Sequence, residues 1–201
     1  MRAGDLGLRA HNELVVLTNF HVINKESDFY ALTPENAEVA FEASDASRAW
    51  SVESVLWQSP PDRHDASVLR LQSEVTGVAP LPFAQILPEV QLNARVYIIG
   101  YPGGHDLAFS FQDNELLDHE EPPDGAPQIP GVSRVHYHAW TEPGSGGSPV
   151  FNANWEVIAL HHKRGHDLSR LNGKAGRYAA SEGISILSIR QAIERGELNG
   201  R

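Results

Sequence analysis

The chain has 201 residues, 41% of them hydrophobic and 21% charged, enough for one or two compact domains with a sizeable core. It contains no cysteine, which excludes disulfides and thiolate metal sites, and no run approaches the roughly 18 apolar residues of a membrane span. Its net charge of −10, with no strong lysine/arginine cluster, argues against nucleic acid or an anionic membrane as the main partner.

Short apolar runs separated by turn residues fill most of the chain. ELVVLTNFHVI (Glu13 to Ile23) is rich in β-branched residues, AEVAFEA (Ala37 to Ala43) alternates polar and apolar positions, and WSVESVLW (Trp50 to Trp57) and ASVLRL (Ala66 to Leu71) read as further strands. The proline-spaced stretch Pro80 to Pro88 has weak periodicity and is expected to be the crossing between two β units, 1–85 and 86–201. ARVYIIGYP (Ala94 to Pro102), DLAFSFQ (Asp106 to Gln112), SRVHYH (Ser133 to His138) and WEVIALHH (Trp155 to His162) follow as strands. HEEPPDGAPQIPG (His119 to Gly131) reads as an acidic surface loop, and HKRGHDLSR as a local basic loop. Only the end looks helical, with Ile186, Ile189 and Ile193 on one face and Gly196 as the stop. Many short strands at this spacing predict an all-β sandwich or barrel.

Three short motifs carry the chemistry. LTNFHVI presents His21 at the end of a β-rich run, and HDASVLRL opens a strand on Asp65. TEPGSGGSPVFN, Thr141 to Asn152, is a glycine-rich loop before a strand. Taken singly, each is more simply a packed histidine, a turn aspartate or a hairpin. Together, in the order His, Asp, Ser, they form the set needed for acyl transfer: a general base, a carboxylate that fixes its tautomer, and small residues whose backbone N–H groups hold an oxyanion. Other serine-hydrolase folds use other chain orders.

The motifs resemble those of chymotrypsin-fold serine proteases. LTNFHVI is similar to T-[AN]-x-H-V, and HDASVLRL to D-[IVA]-A-[VL]-L. GYPGG and SPVFNANWEVIALHH resemble the bacterial trypsin-like and glutamyl endopeptidase branch. The resemblance spans roughly Leu14 to Ile189. It implies two six-stranded antiparallel Greek-key β-barrels with a C-terminal helix, the site lying in the cleft between them. The first barrel would carry His21 and Asp65, and the second the nucleophile loop and specificity pocket.

The loop departs from G-x-S-G-[GS]-P. Aligned on GSPVFN, Gly146 falls at the nucleophile, with Gly144 and Gly147 as the oxyanion glycines. The alternative register makes Ser145 the nucleophile at the expense of one extra residue before Pro149. The first register is preferred, because it needs no insertion, and a shift of one residue moves the nucleophile's Cα by about 3.8 Å. Glycine there removes the attacking oxygen, a loss of about 10⁶-fold in kcat in a comparable triad, so the chain is expected to hydrolyse peptides negligibly. A non-catalytic peptide-binding module on the same fold is the alternative. Only 20 residues precede His21, and none reads like the family's opening strand G-[ST]-G-F-[LV], so the first barrel is expected to lack an edge strand.

In the glutamyl endopeptidase branch a threonine and a histidine bind an acidic side chain at P1, the substrate residue before the cleaved bond. The matching positions are Thr141 and His161, and a hydroxyl and an imidazole suit a carboxylate. His136 and His138, with His161, His162 or His166, could ligate zinc, but a polar strand face is the simpler reading, and neither a metal nor another cofactor is expected. The expected partners are a peptide or protein substrate and, because such relatives often accompany other domains, a regulatory domain or partner chain. MRAGDLGLRA lacks the apolar region of a signal peptide, and a cytoplasmic location is expected.

Overall fold

A computed structural model describes every residue except 10–11, 27–30, 46, 124 and 197–201. The chain divides into two compact units: Met1–Leu81 together with the stretch from Ala192 on, and Pro82–Gln191.

In the first unit the strands are β1 (Val16–Thr18), β2 (Glu38–Ala40), β3 (Ala49–Ser59) and β4 (Ala66–Leu71). They form one antiparallel sheet in the order β1-β4-β3-β2. Trp50, Val52, Val55, Leu69, Leu71 and Val75 build its core with Ile23 and Ala37. In β3 the buried residues fall at 50 and 52 and then at 55, 57 and 59. A strict period of two would turn the second set to the solvent. Register shifts between Val52 and Ser54 and between Val55 and Trp57 restore the inward face.

The expected strand at Ala37–Ala43 is shorter. Beyond Phe41 the N–H groups of Ser44 and Asp45 turn back onto its carbonyl at 2.8 and 2.9 Å, and Glu42–Asp45 forms a short exposed helix, α1. Residues 1–3 pair with 13–15, through an Arg2–Leu14 bridge and N–H bonds from Ala3 to Glu13 and from Val15 to Met1, both 2.8 Å. That pairing occupies part of the edge expected to be missing.

The second unit holds β5 (Tyr97–Gly100), β6 (Ala108–Ser110), β7 (Glu115–His119), β8 (Arg134–His138), β9 (Pro149–Phe151), β10 (Val157–Ser169) and β11 (Arg177–Ser185). The antiparallel order is β6-β5-β9-β10-β11-β8-β7. Its core is Val96, Ile98, Leu116, Val135, Tyr137, Val150, Ile158 and Ala159 with their neighbours. Helix α2 (Ile186–Glu194) closes the described chain with Ile186, Ile189 and Ile193 buried. Burying each such side chain contributes about 2 kcal/mol.

The class is therefore all-β with a C-terminal helix, as the chymotrypsin-like reading requires, but the described strands divide four and seven rather than six and six. Two loops are corrected. The basic stretch after His161 is no loop: β10 runs on to Ser169, paired with β11. The acidic stretch after His119 is not simply surface, because Glu120 and Glu121 are buried. Glu120 takes a two-pronged bond from Arg134 at 2.7 and 2.9 Å, and Glu121 accepts from the Ser185 hydroxyl at 2.5 Å.

Candidate functional site

In the first unit the chain leaves β1 at Thr18 and turns, with the Val22 and Ile23 N–H groups both donating to the Asn19 carbonyl at 3.2 Å. That turn carries His21. Asp65 arrives from the Pro60–His64 turn, its N–H bonded to the Pro60 carbonyl at 3.0 Å, and it immediately precedes β4. The His64 N–H and ring Nδ1 both meet the Ser59 hydroxyl, at 3.2 and 3.0 Å, which fixes the end of that turn.

His21 Nδ1 donates to Asp65 Oδ2 at 2.6 Å, and the His21 backbone N–H donates to Oδ1 at 3.1 Å. The carboxylate is fully buried while the imidazole is 46% exposed. Asp65 thus holds the ring in one orientation and places the proton of the neutral ring on Nδ1, leaving Nε2 as the acceptor. The Asp65 hydrogen bond raises the His21 pKa above its ordinary value, partial burial lowers it, and the carboxylate charge raises it again. Asp65 has φ +43°, a left-handed conformation that, apart from glycine, is taken up mainly by asparagine and aspartate. The buried Asn19 amide nitrogen donates to the Asp65 carbonyl at 2.9 Å, whereas its own Oδ1 finds no protein partner among the described residues. Leaving such an acceptor buried and unpaired costs about 1–3 kcal/mol.

In the second unit the glycine loop is held by a neighbouring turn. Gly144 has φ +97°, and a Cβ there would lie 2.8 Å from the Gly104 nitrogen and 3.1 Å from the Tyr101 oxygen. The Gly103 N–H donates to the Pro143 carbonyl at 2.8 Å. A Cβ at Gly100 would overlap the Ser148 hydroxyl. GYPGG is therefore more than a turn: Gly100 leaves room for the Ser148 side chain, and the missing Cβ of Gly144 lets that loop meet the Tyr101–Gly104 backbone, a role that sequence alone did not assign.

Ser145 is buried and accepts from the Glu142 N–H at 3.2 Å through its Oγ. It lines a crevice of about 30 Å³ with Ile98, Pro102, Phe109 and Ser148. Gly147 does not fit the expected oxyanion role, because its N–H is already donated to the His161 carbonyl at 3.1 Å. The N–H groups of Gly144 and Gly146 have no hydrogen-bond partner among the described residues.

Thr141 and His161 are both buried, and two residues absent from the sequence reading link them. Thr141 Oγ1 lies 3.0 Å from Ser181 Oγ. Ser181 sits opposite Tyr137 across β11 and β8, and the Tyr137 hydroxyl lies 2.6 Å from His161 Nδ1. Gly183, opposite His161, leaves room for the Ala159 methyl and the Leu160 carbonyl, each 3.0 Å from where a Cβ would stand. Burial first, and the charge of Glu182 second, push the Tyr137 hydroxyl well above the ordinary phenol range.

Glu182 was not singled out by sequence either. It is buried, 2.8 Å from His136 Nε2 and 3.0 Å from Lys163 Nζ. Burial pushes its pKa up, but the His136 hydrogen bond and the Lys163 charge outweigh that and bring it to about 2. His136 Nδ1 meets the Tyr178 hydroxyl at 2.9 Å, and burial drives the Tyr178 pKa up to about 12. His138 is exposed. His136 is thus engaged by Glu182 and Tyr178, as a polar strand face demands.

The model of the trypsin-like peptidase domain family matches residues 7–160. Among solved structures, the inactive form of the Rv3671c protease of M. tuberculosis is similar at a TM-score of 0.60 and 16% identity, covering 92% of this chain and 79% of that one. The active form of the same protease gives a TM-score of 0.55 and 15% identity, covering 93% and 70%. No curated protein matches the sequence.

Proposed function

The chain belongs to the family of trypsin-like peptidase domains, and on that premise we propose that it carries a serine-endopeptidase site whose nucleophile position is occupied by Gly146. His21 is the general base, and Asp65 fixes its tautomer and stabilises the imidazolium. Gly144 and Gly146, whose N–H groups are uncommitted, supply the oxyanion donors in place of Gly147. The reading rests on the His21–Asp65 pair at 2.6 Å, formed by the two motifs that the family uses for base and orienter.

With glycine at 146 no side-chain oxygen attacks the scissile carbonyl, and peptide hydrolysis is negligible. Ser145 does not replace it, because its hydroxyl is buried and bonded to Glu142. The same glycine favours a second reading, a non-catalytic peptide-binding module, since the pocket and backbone donors remain when the nucleophile is lost.

The substrate side chain at P1 is acidic. Thr141 contributes a hydroxyl, and with the Tyr137 phenol donating to Nδ1, the neutral His161 ring carries its proton on Nε2, a donor for a carboxylate. The test is a Gly146→Ser variant assayed on peptides that differ only at P1. Glu and Asp peptides should be cleaved with kcat/KM at least ~10-fold above Arg, Leu or Ala peptides. A preference for any of the latter three contradicts the acidic assignment, and cleavage of none of them leaves the binding module as the reading.

A further inference from the structure

We propose that Asn19 is a positioning residue for the general base, acting through Asp65; this rests on the assignment of His21 and Asp65 as base and orienter. The two ends of the Asn19 residue address the two partners separately. Its backbone carbonyl accepts from the Val22 and Ile23 N–H groups and so shapes the turn that carries His21. Its side-chain amide donates to the Asp65 carbonyl at 2.9 Å.

Asp65 needs such a hold. Its φ of +43° lies in the left-handed region, which aspartate tolerates better than most side chains but still at a cost, so contacts that fix the backbone there matter. Its N–H bond to the Pro60 carbonyl and the Asn19 amide on its own carbonyl hold its backbone from two sides. If Asp65 relaxed toward an ordinary φ, its carboxylate would swing away from the His21 N–H and Nδ1 that it now meets together. The amide orientation is set by chemistry, since a carbonyl only accepts and the nitrogen must face it. Asn19 is wholly buried, and its Oδ1 is unpaired by any protein group among the described residues. A side chain retained for packing alone would do better as leucine, which has a similar shape and no acceptor to strand.

The measurement is the His21 pKa, followed by NMR of the imidazole in the chain with Gly146 unchanged, so that it needs no catalysis. Asn19→Ala and Asn19→Leu are compared with the parent, and Asn114→Ala, which removes another buried amide bonded to a backbone carbonyl (Ser110, 2.8 Å), is the control. The parent His21 should titrate above about 6.5. Both Asn19 variants should bring it down toward that value, Asn19→Leu with its thermal midpoint preserved, while Asn114→Ala loses stability and leaves His21 unmoved. In a Gly146→Ser background the Asn19 variants should lose about 10- to 100-fold in kcat at unchanged KM, with the acid limb of the pH profile moved to lower pH. A parent His21 that titrates at the ordinary value sinks the His21–Asp65 assignment itself. A raised parent value that survives both Asn19 substitutions, or an equal shift in Asn114→Ala, overturns the role of Asn19 alone. Unfolding of both Asn19 variants makes the residue structural and overturns it likewise.

Discussion

At Gly144 two constraints coincide that Gly104 separates. Both residues have positive φ, +97° and +70°. A Cβ on Gly144 meets the backbone of the Tyr101–Gly104 turn, whereas one on Gly104 meets nothing within 4 Å. Gly104→Ala therefore carries only the left-handed penalty of about 1 kcal/mol, and Gly144→Ala adds a steric clash that forces the loop to move, for a total of about 3 kcal/mol. Chemical denaturation of the two variants checks this, and equal losses would mean that the close approach contributes nothing. The sequence marked His21, Asp65, Thr141 and His161 because a family motif places each of them. The motif T-[AN]-x-H-V includes Asn19 but gives its side chain no role, and nothing marked Ser181 or Tyr137. Their roles depend on which turns and strands lie side by side, and neither a motif letter nor a tyrosine in a strand names its partner.

Strands β8, β10 and β11 share one buried ion cluster, built on Glu182 with His136 and Lys163. The carboxyl falls from an ordinary 4.5 to about 2 in the folded chain. A group depressed on folding stabilises above its unfolded pKa and loses that contribution as the pH falls through the folded value. Glu182 should therefore support the second unit fully above pH 4.5 and lose its support between pH 4.5 and about 2. Glu182→Gln should cost about 2 kcal/mol near neutrality, below the usual loss for a broken buried pair because Lys163 is half exposed. The gap to the parent should close as the pH approaches 2. Thermal melts of parent and variant across that range test it, and a gap that stays constant contradicts the assignment.

The same strands show what was legible at this scale. β4 was found at its observed bounds, and β3, β5, β8 and the start of β10 stood out as β-branched or alternating runs. RYAASEGIS of β11 was missed because small and polar residues dominate it, and its inward positions include Glu182 and Gly183. The far half of β10 was missed for a related reason. Its residues from 163 on are exposed or half-buried, so no apolar alternation marks a strand that only its partner β11 defines.

For the molecule as a whole, the spacing of short apolar runs pointed to the class and the motif order to the family, because three motifs in one order constrain a fold far more than any strand pattern does. The division of strands stayed out of reach. Among the described residues the strands divide four and seven, and short edge pairings such as Arg2–Leu14 leave almost no sequence trace. What the whole chain does depends on one position. A fluorophosphonate forms a covalent bond with a serine oxygen, losing fluoride, only where a base and an oxyanion site activate that oxygen. Intact-mass spectrometry of the Gly146→Ser variant after such treatment is the most direct measurement. The account predicts one adduct per chain, mapped to position 146, absent from the parent and lost on further substitution of His21→Ala. An adduct on Ser145 in the parent, or none on the Gly146→Ser variant, would contradict it.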